Sequence, residues 1–256
     1  MKTLGCDIGS LFSKAVIIEG DRLAAAKVIE TTGNIAAEIE NLVHDVCREA
    51  GSDIDSLDGI VGTGSGAEFC EDADFLEDEI SCIAWAARCY LPDMELVVDI
   101  GGQSITSLLL DEEGDVIDFM RNDKCASGSG RFLEVMSNAV GIPITSIDEA
   151  ASQATKRVPI GSQCGVFVES EVITHVNNGE KPQDIVAGLC DAAARIVTSQ
   201  ARRFGMGSRY TFTGGVAKVK TVVDLIQKRL DGEYQPFPLD TQLTAAIGAA
   251  LLAEAN

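Results

Sequence analysis

The sequence predicts an α/β chain of two lobes, and an internal duplication carries that prediction. "TLGCDIGSLFSKAVIIEGDRLAAAKVIE" from Thr3 and "LVVDIGGQSITSLLLDEEGDVIDFMRND" from Leu96 share one pattern. Each reads as an apolar strand, Asp-Ile-Gly, a second strand, a Gly-Asp turn and a third strand. Asp7 and Asp99 mark the repeat, 92 residues apart. The second observation is that helical patterns follow each unit. The third is that two more apolar strands, "DGIVGTGSG" and "RYTFTGGVA", end in glycine turns.

Each element has its own signal. Ile35, Ile39, Leu42, Val43 and Val46 recur at helical spacing. Phe132, Leu133, Met136 and Val140 form one face of a helix beginning in "ASGSGRFLEVM", and Val166, Phe167 and Ile173 mark another after "GSQC". From Asp184 to Phe204, Ile185, Val186, Leu189, Ala193, Ile196 and Val197 repeat the spacing, with Gly205 as a stop. "QLTAAIGAALLAEA" closes the chain as a small-residue helix able to pack closely. The expected division is a lobe of residues 1–94, a lobe of 95–241, joined near Pro92, and a helix over 242–256 that packs back on the first lobe.

Composition bounds the function. Hydrophobic residues are 46% and charged residues 23%, ordinary for a globular protein. No apolar run nears the roughly 20 residues of a membrane span, and "MKTLGCDIGS" lacks the apolar core of a signal peptide. A cytoplasmic protein off the membrane is expected. The net charge of −20 argues against nucleic acid. Eight cysteines without a C-x-x-C pair argue against a disulfide framework or a zinc ribbon. Cys6, Cys47 and Cys190 fit core positions.

The turns carry the chemistry. Glycine after an Asp lets backbone N–H groups approach a phosphate, and the carboxylate can hold hydrated magnesium. Two such turns, with the glycine turns at Gly62–Gly66 and Thr213–Ala217, point to a nucleotide clamped in a cleft. Lys14 follows the first turn, in reach of a phosphate or as a solvated strand residue. Gln103 follows the second, where an amide could orient an attacking water.

Two thiols stand apart. Cys125 and Cys164 each precede a predicted helix, where free N–H groups and the positive helix end favour thiolate. Thiolate ligates iron–sulfur clusters, which usually take four cysteines, so two copies of the chain would supply two each. Spacing alone leaves two buried cysteines near turns as the simpler reading. A catalytic thiol has no histidine nearby in sequence to activate it.

At "DIGS", "VVDIGGQ", "NDKCASGSGRFLEVM", "QCGVFVESEVI", "TGGVA" and "AIGAALLA" the chain resembles, from end to end, the ATP-dependent activators of 2-hydroxyacyl-CoA dehydratases. These sit within the wider benzoyl-CoA reductase and dehydratase activator ATPase group. The resemblance implies a two-lobed actin, heat-shock and sugar-kinase-like fold with duplicated ribonuclease H-like subdomains. It implies a homodimer with one bridging 4Fe-4S cluster on Cys125 and Cys164 of each chain. It implies an electron taken from ferredoxin or flavodoxin and delivered, with ATP hydrolysis and a hinge motion of the lobes, to an iron–sulfur dehydratase or reductase. Under it, Asp7 and Asp99 organise magnesium and Gln103 positions the water. Gly9, Ser10, Lys14, Gly101 and Gly102 hold phosphates. Gly128, Ser129, Gly130, Gly214, Gly215 and Val216 line the nucleotide, and Lys218 reaches the base or ribose. Leu11, Ala67 and Ile83 depart from the family pattern, where threonine, a basic residue and histidine are common. Rival expectations are a redox ATPase serving a double-cubane cluster protein or aromatic acyl-CoA reductase, an amino-sugar kinase of the same fold, and a nucleotide-binding sensor or assembly protein.

Overall fold

A computed structural model describes residues 1–122, 127–161, 165–204 and 208–255. The chain divides into two compact units. One is Met1–Glu95 with Leu110–Ile117 and Phe237–Asn256; the other is Leu96–Leu109 with Asp118–Pro236.

The first unit is built on a five-stranded sheet of order β3-β2-β1-β4-β5. Its strands are β1 (Lys2–Ile8), β2 (Phe12–Glu19), β3 (Arg22–Glu30), β4 (Gly59–Thr63) and β5 (Phe75–Leu76). β1 pairs antiparallel with β2 and parallel with β4. Helices α1 (Ile35–Glu49), α2 (Glu79–Tyr90) and α8 (Thr244–Ala255) complete the unit. The central strands β1, β2 and β4 are largely buried on both faces because both are covered. On β2, Ala15 and Ile17 join the core that holds Ile39, Leu42 and Val46 of α1. Val16 and Ile18 join Ala246, Ile247 and Ala250 of α8 on the other side. Full burial of each isoleucine contributes roughly 1.5–3 kcal/mol.

The small residues of α8 have a steric reason. A Cβ on Gly5 of β1 would overlap the Ala246 carbonyl, and one on Gly248 would overlap the Cys82 carbonyl of α2. Backbone therefore packs on backbone at both contacts. α2 carries no clear sequence signal: it buries Cys82, Ile83, Ala84, Ala86 and Ala87, and its less buried stripe of Ser81, Trp85, Arg88 and Cys89 is half apolar, so the pattern has little contrast.

The second unit repeats the plan, with order β10-β9-β6-β7-β8. Its strands are β6 (Leu96–Ile100), β7 (Ile105–Leu110), β8 (Val116–Asn122), β9 (Arg209–Thr213) and β10 (Glu233–Tyr234). β6 pairs antiparallel with β7 and parallel with β9, as β1 does with β2 and β4. Helices α3 (Gly130–Ala139), α4 (Ile147–Ser152), α5 (Gly165–Asn177), α6 (Pro182–Ala201) and α7 (Lys220–Gln227) belong to it. Val98, Ile100 and Phe212 meet Leu133, Leu189 and Ile226 in one core.

The predicted helix after Cys164 forms, but its buried face differs from the expected one. Val168 and Val172 are buried, whereas Phe167 is 67% and Ile173 50% exposed. The expected stop at Gly205 lies outside the described residues, and α6 ends at Ala201.

Candidate functional site

In the first unit β1 delivers Asp7 and then turns. The Gly9 N–H donates to the Phe12 carbonyl at 3.1 Å, closing the β1–β2 hairpin. Register places Lys14 opposite Asp7, and its Nζ donates to Asp7 Oδ2 at 2.7 Å. Asp7 is 3% exposed, yet its Oδ1 is buried without a hydrogen-bond partner. The third glycine turn seats itself on this carboxylate. A Cβ on Gly64, whose φ is +90°, would stand 2.5 Å from Asp7 Oδ1 and 2.6 Å from the Ile8 carbonyl. Only glycine fits there. The Gly66 N–H then donates to the Ile8 carbonyl at 2.9 Å. Ser10 is exposed beyond the turn.

The second unit has the same frame with different fastenings. Asp99 lies opposite Thr106 on one side and Thr213 on the other, and Thr213 Oγ1 donates to Asp99 Oδ1 at 2.8 Å. The Gly101 N–H donates to the Ser104 carbonyl at 2.9 Å. Gly214, with φ +83°, lies so close that a Cβ would be 2.5 Å from the Ile100 carbonyl. The start of α3 is tied to the turn: the Gly130 N–H donates to the Gly101 carbonyl at 2.9 Å and the Arg131 N–H to the Gly102 carbonyl at 2.8 Å. Val216 is buried, and its Cγ2 would lie 3.5 Å from a Cβ on Gly130. The structure thus gathers Gly101, Gly102, Gly130, Gly214 and Val216 within this unit. Ser129 is buried beside them in sequence, with Gly128 at φ +84°. Gly215 is half-buried; Gln103 and Lys218 are exposed.

The partner of Asp99 escaped sequence reasoning. Thr213 stands directly before the Gly-Gly pair, but its role depends on a parallel pairing across 114 residues.

The residues fit a nucleotide with magnesium. A buried carboxylate oxygen lacking a donor, in a turn of glycine backbone, has the chemistry that takes up a hydrated hard cation. Cys125 and Cys164 lie outside the described residues, and α5 begins at the residue after Cys164. Among the described residues, no group of three or more His, Cys, Asp and Glu is placed to hold a metal ion. Nor is any helix there long and apolar enough to cross a membrane.

Comparison with known proteins settles the family. The model of the BadF/BadG/BcrA/BcrD ATPase family matches residues 4–253. The chain belongs to this family. It is 35% identical over 254 residues to the 2-hydroxyisocaproyl-CoA dehydratase activator of Clostridioides difficile, covering 99% of this chain and 95% of that one. It is 36% identical over 252 residues to the (R)-2-hydroxyglutaryl-CoA dehydratase activating ATPase of Acidaminococcus fermentans, covering 98% and 96%. The crystal structure of the A. fermentans dehydratase component A superposes with a TM-score of 0.93 at 34% identity, covering 100% of this chain and 98% of that one. The C. difficile activator with bound ADPNP gives 0.93 at 35%, covering 99% and 94%. A glucokinase from Streptomyces griseus, 14% identical with a TM-score of 0.63 over the full length of both chains, shares the fold alone. The α/β fold of this family member is therefore the actin-like ATPase fold that sugar kinases also use.

Proposed function

We propose that this ATPase-family member is a reductive activator. It hydrolyses ATP and passes one low-potential electron, taken from ferredoxin or flavodoxin, to an iron–sulfur partner of the 2-hydroxyacyl-CoA dehydratase type. Two copies would hold one 4Fe-4S cluster through Cys125 and Cys164 of each, and that cluster would supply the one-electron couple. Three relatives named as dehydratase activators, 35–37% identical over 98–99% of the chain, support the partner class. A component of the benzoyl-CoA reductase of Thauera aromatica, 29% identical over 265 residues, supports an aromatic acyl-CoA reductase as the second candidate partner.

The chain's own residues divide the work. Asp7 presents an unpartnered carboxylate oxygen to the magnesium that accompanies ATP, and Lys14 balances its other oxygen. Asp99 is oriented by Thr213. Ser10 and Gly102 offer backbone N–H groups to phosphate oxygens, Gly9 and Gly101, whose own N–H groups close the hairpins, let the backbone come close to the phosphate, and Gln103 orients the attacking water. Gly128, Ser129, Gly130, Gly214, Gly215, Val216 and Lys218 line the rest of the nucleotide. The observation that carries the reading is the pair of hydrogen bonds from Gly130 and Arg131 to the second Asp-Ile-Gly turn. They fasten the phosphate turn to the start of α3, which follows Cys125 in sequence, so a shift of the turn on hydrolysis would move the start of that helix. Nucleotide acts there only through its different affinity for the two arrangements.

The test is anaerobic purification of wild type and Cys125→Ala, with visible spectrum, iron count and ATPase rate. A brown protein with about four irons per dimer, colourless in the variant, is expected. A wild type that stays iron-free after anaerobic reconstitution while hydrolysing ATP would overturn the electron-transfer reading.

A further inference from the structure

The two Asp-Ile-Gly turns share a backbone frame, and in each the glycine carbonyl is pinned. In the second unit the Gly101 carbonyl accepts from the Gly130 N–H of α3. In the first unit a side chain takes that place. Thr31, the residue after β3, donates from Oγ1 to the Gly9 carbonyl at 2.8 Å. The same Oγ1 lies 2.8 Å from Ser13 Oγ, which is fully buried. The Thr31 N–H donates to the Leu11 carbonyl at 2.9 Å, so Thr31 holds the turn at two carbonyls.

A peptide unit is planar, and in the trans form its C=O and the following N–H point in opposite directions. No cis peptide occurs among the described residues. Pinning the Gly9 carbonyl toward Thr31 therefore aims the Ser10 N–H away from Thr31, at the exposed tip of the turn. Without the pin, a peptide next to glycine can flip at little steric expense. A flipped peptide would present a carbonyl oxygen to an incoming phosphate, where an N–H is needed.

We infer that Thr31 is a positioning residue for nucleotide phosphate. Its hydroxyl, oriented by Ser13, fixes the Gly9–Ser10 peptide with the N–H outward, ready to donate to a phosphate oxygen. The inference rests on the reading that the first Asp-Ile-Gly turn holds phosphate. It extends the site to a residue 24 positions beyond Asp7, in no glycine motif. Preorganised N–H donors are effective because no reorganisation is needed when the anion arrives.

The test measures the Kd of ADPNP with magnesium, together with KM and kcat for ATP, in wild type, Thr31→Val, Thr31→Ser, Ser13→Ala and Lys14→Ala. Thr31→Val keeps the shape and removes the donor. It is expected to weaken ADPNP by about tenfold, equivalent to about 1.4 kcal/mol, and to raise KM while kcat changes little. Thr31→Ser, which keeps the hydroxyl, should stay within about twofold of wild type, and Ser13→Ala should fall between. Thr31→Ala carries the same test where valine is not accommodated. Thr31→Val binding as wild type does, while Lys14→Ala binds weakly, would overturn the positioning role. Unchanged binding in both would instead overturn the phosphate reading of the first turn. Equal losses in Thr31→Val and Thr31→Ser would mean a packing role and overturn the inference as well.

Discussion

The Asp7–Lys14 pair offers a sharp quantitative test of the first turn. The two groups approach to 2.7 Å with side chains only 4% and 13% exposed. At an effective dielectric constant of about 20, Coulomb attraction at that distance is about 6 kcal/mol, offset by the desolvation of both ions. Removing one partner of such a pair leaves the other charge buried and uncompensated, at a cost of about 3–5 kcal/mol. Lys14→Met, which keeps the aliphatic stem and deletes the charge, should therefore destabilise the protein by that amount. The carboxylate left behind already has an unpartnered Oδ1, so it has nothing to fall back on. For a chain of this size each kcal/mol shifts the melting temperature by about 2–4 °C, giving an expected drop of roughly 6–20 °C. Adding Asp7→Asn removes the stranded charge, and the double variant should regain most of the loss. That double variant should be folded and inactive as an ATPase, which separates the pair's structural role from its chemical one. The measurement is calorimetry of wild type, both single variants and the double variant at low ionic strength. A Lys14→Met protein melting within about 2 °C of wild type would refute the reasoning, since the pair would then behave as a solvated surface contact.

Other consequences follow from burial and turn geometry. Gly214→Ala forces a Cβ to 2.5 Å from the Ile100 carbonyl at φ +83°. A strain above about 3 kcal/mol displaces the turn, and the ATPase rate should fall by about a hundredfold or more. Burial pushes the thiols of Cys82 and Cys190 up to about 12. At pH 8 only about one part in ten thousand is thiolate, so iodoacetamide mass mapping of the native protein should leave both unmodified. Among the six described free cysteines, exposed Cys89 should label first. The Asp184 carboxyl is held below the usual carboxylate range by the Lys156 N–H first, with the Thr155 N–H and hydroxyl adding to it. A carboxyl depressed in the folded state stabilises above its unfolded pKa, near 4, and that contribution vanishes as pH falls through the lower folded value. Melting temperature should thus fall more steeply between pH 5 and 3 (roughly the carboxylate range) in wild type than in Asp184→Asn.

How far the sequence could be read depended on whether a feature was local or assembled. The two Asp-Ile-Gly hairpins were legible because each lies within about 30 residues and because the chain states the pattern twice. β4 and β9 were legible as apolar runs ending in glycine, and α1, α3 and α6 through one-sided apolar spacing. α2 was not, because Trp85 and Cys89 interrupt its less buried stripe with apolar residues and leave little contrast to read. α5 shows the opposite failure: its apolar residues have helical spacing, yet Phe167 and Ile173 face outward while Val168 and Val172 face the core. Periodicity marks a helix without saying which apolar stripe is buried. The turns divide the same way. Glycines in "GTGSG" and "TGGVA" announce close backbone approach, but not what they approach. That Gly64 lies on Asp7 and Gly214 on Ile100 follows from β4 and β9 running parallel beside β1 and β6, a pairing set by tertiary packing. Thr31 is the extreme case, a lone threonine after a strand with no motif around it. It matters because three antiparallel strands bring position 31 back beside position 9. The motif supplies the donors that touch the ligand, and a distant residue decides which way one of them points.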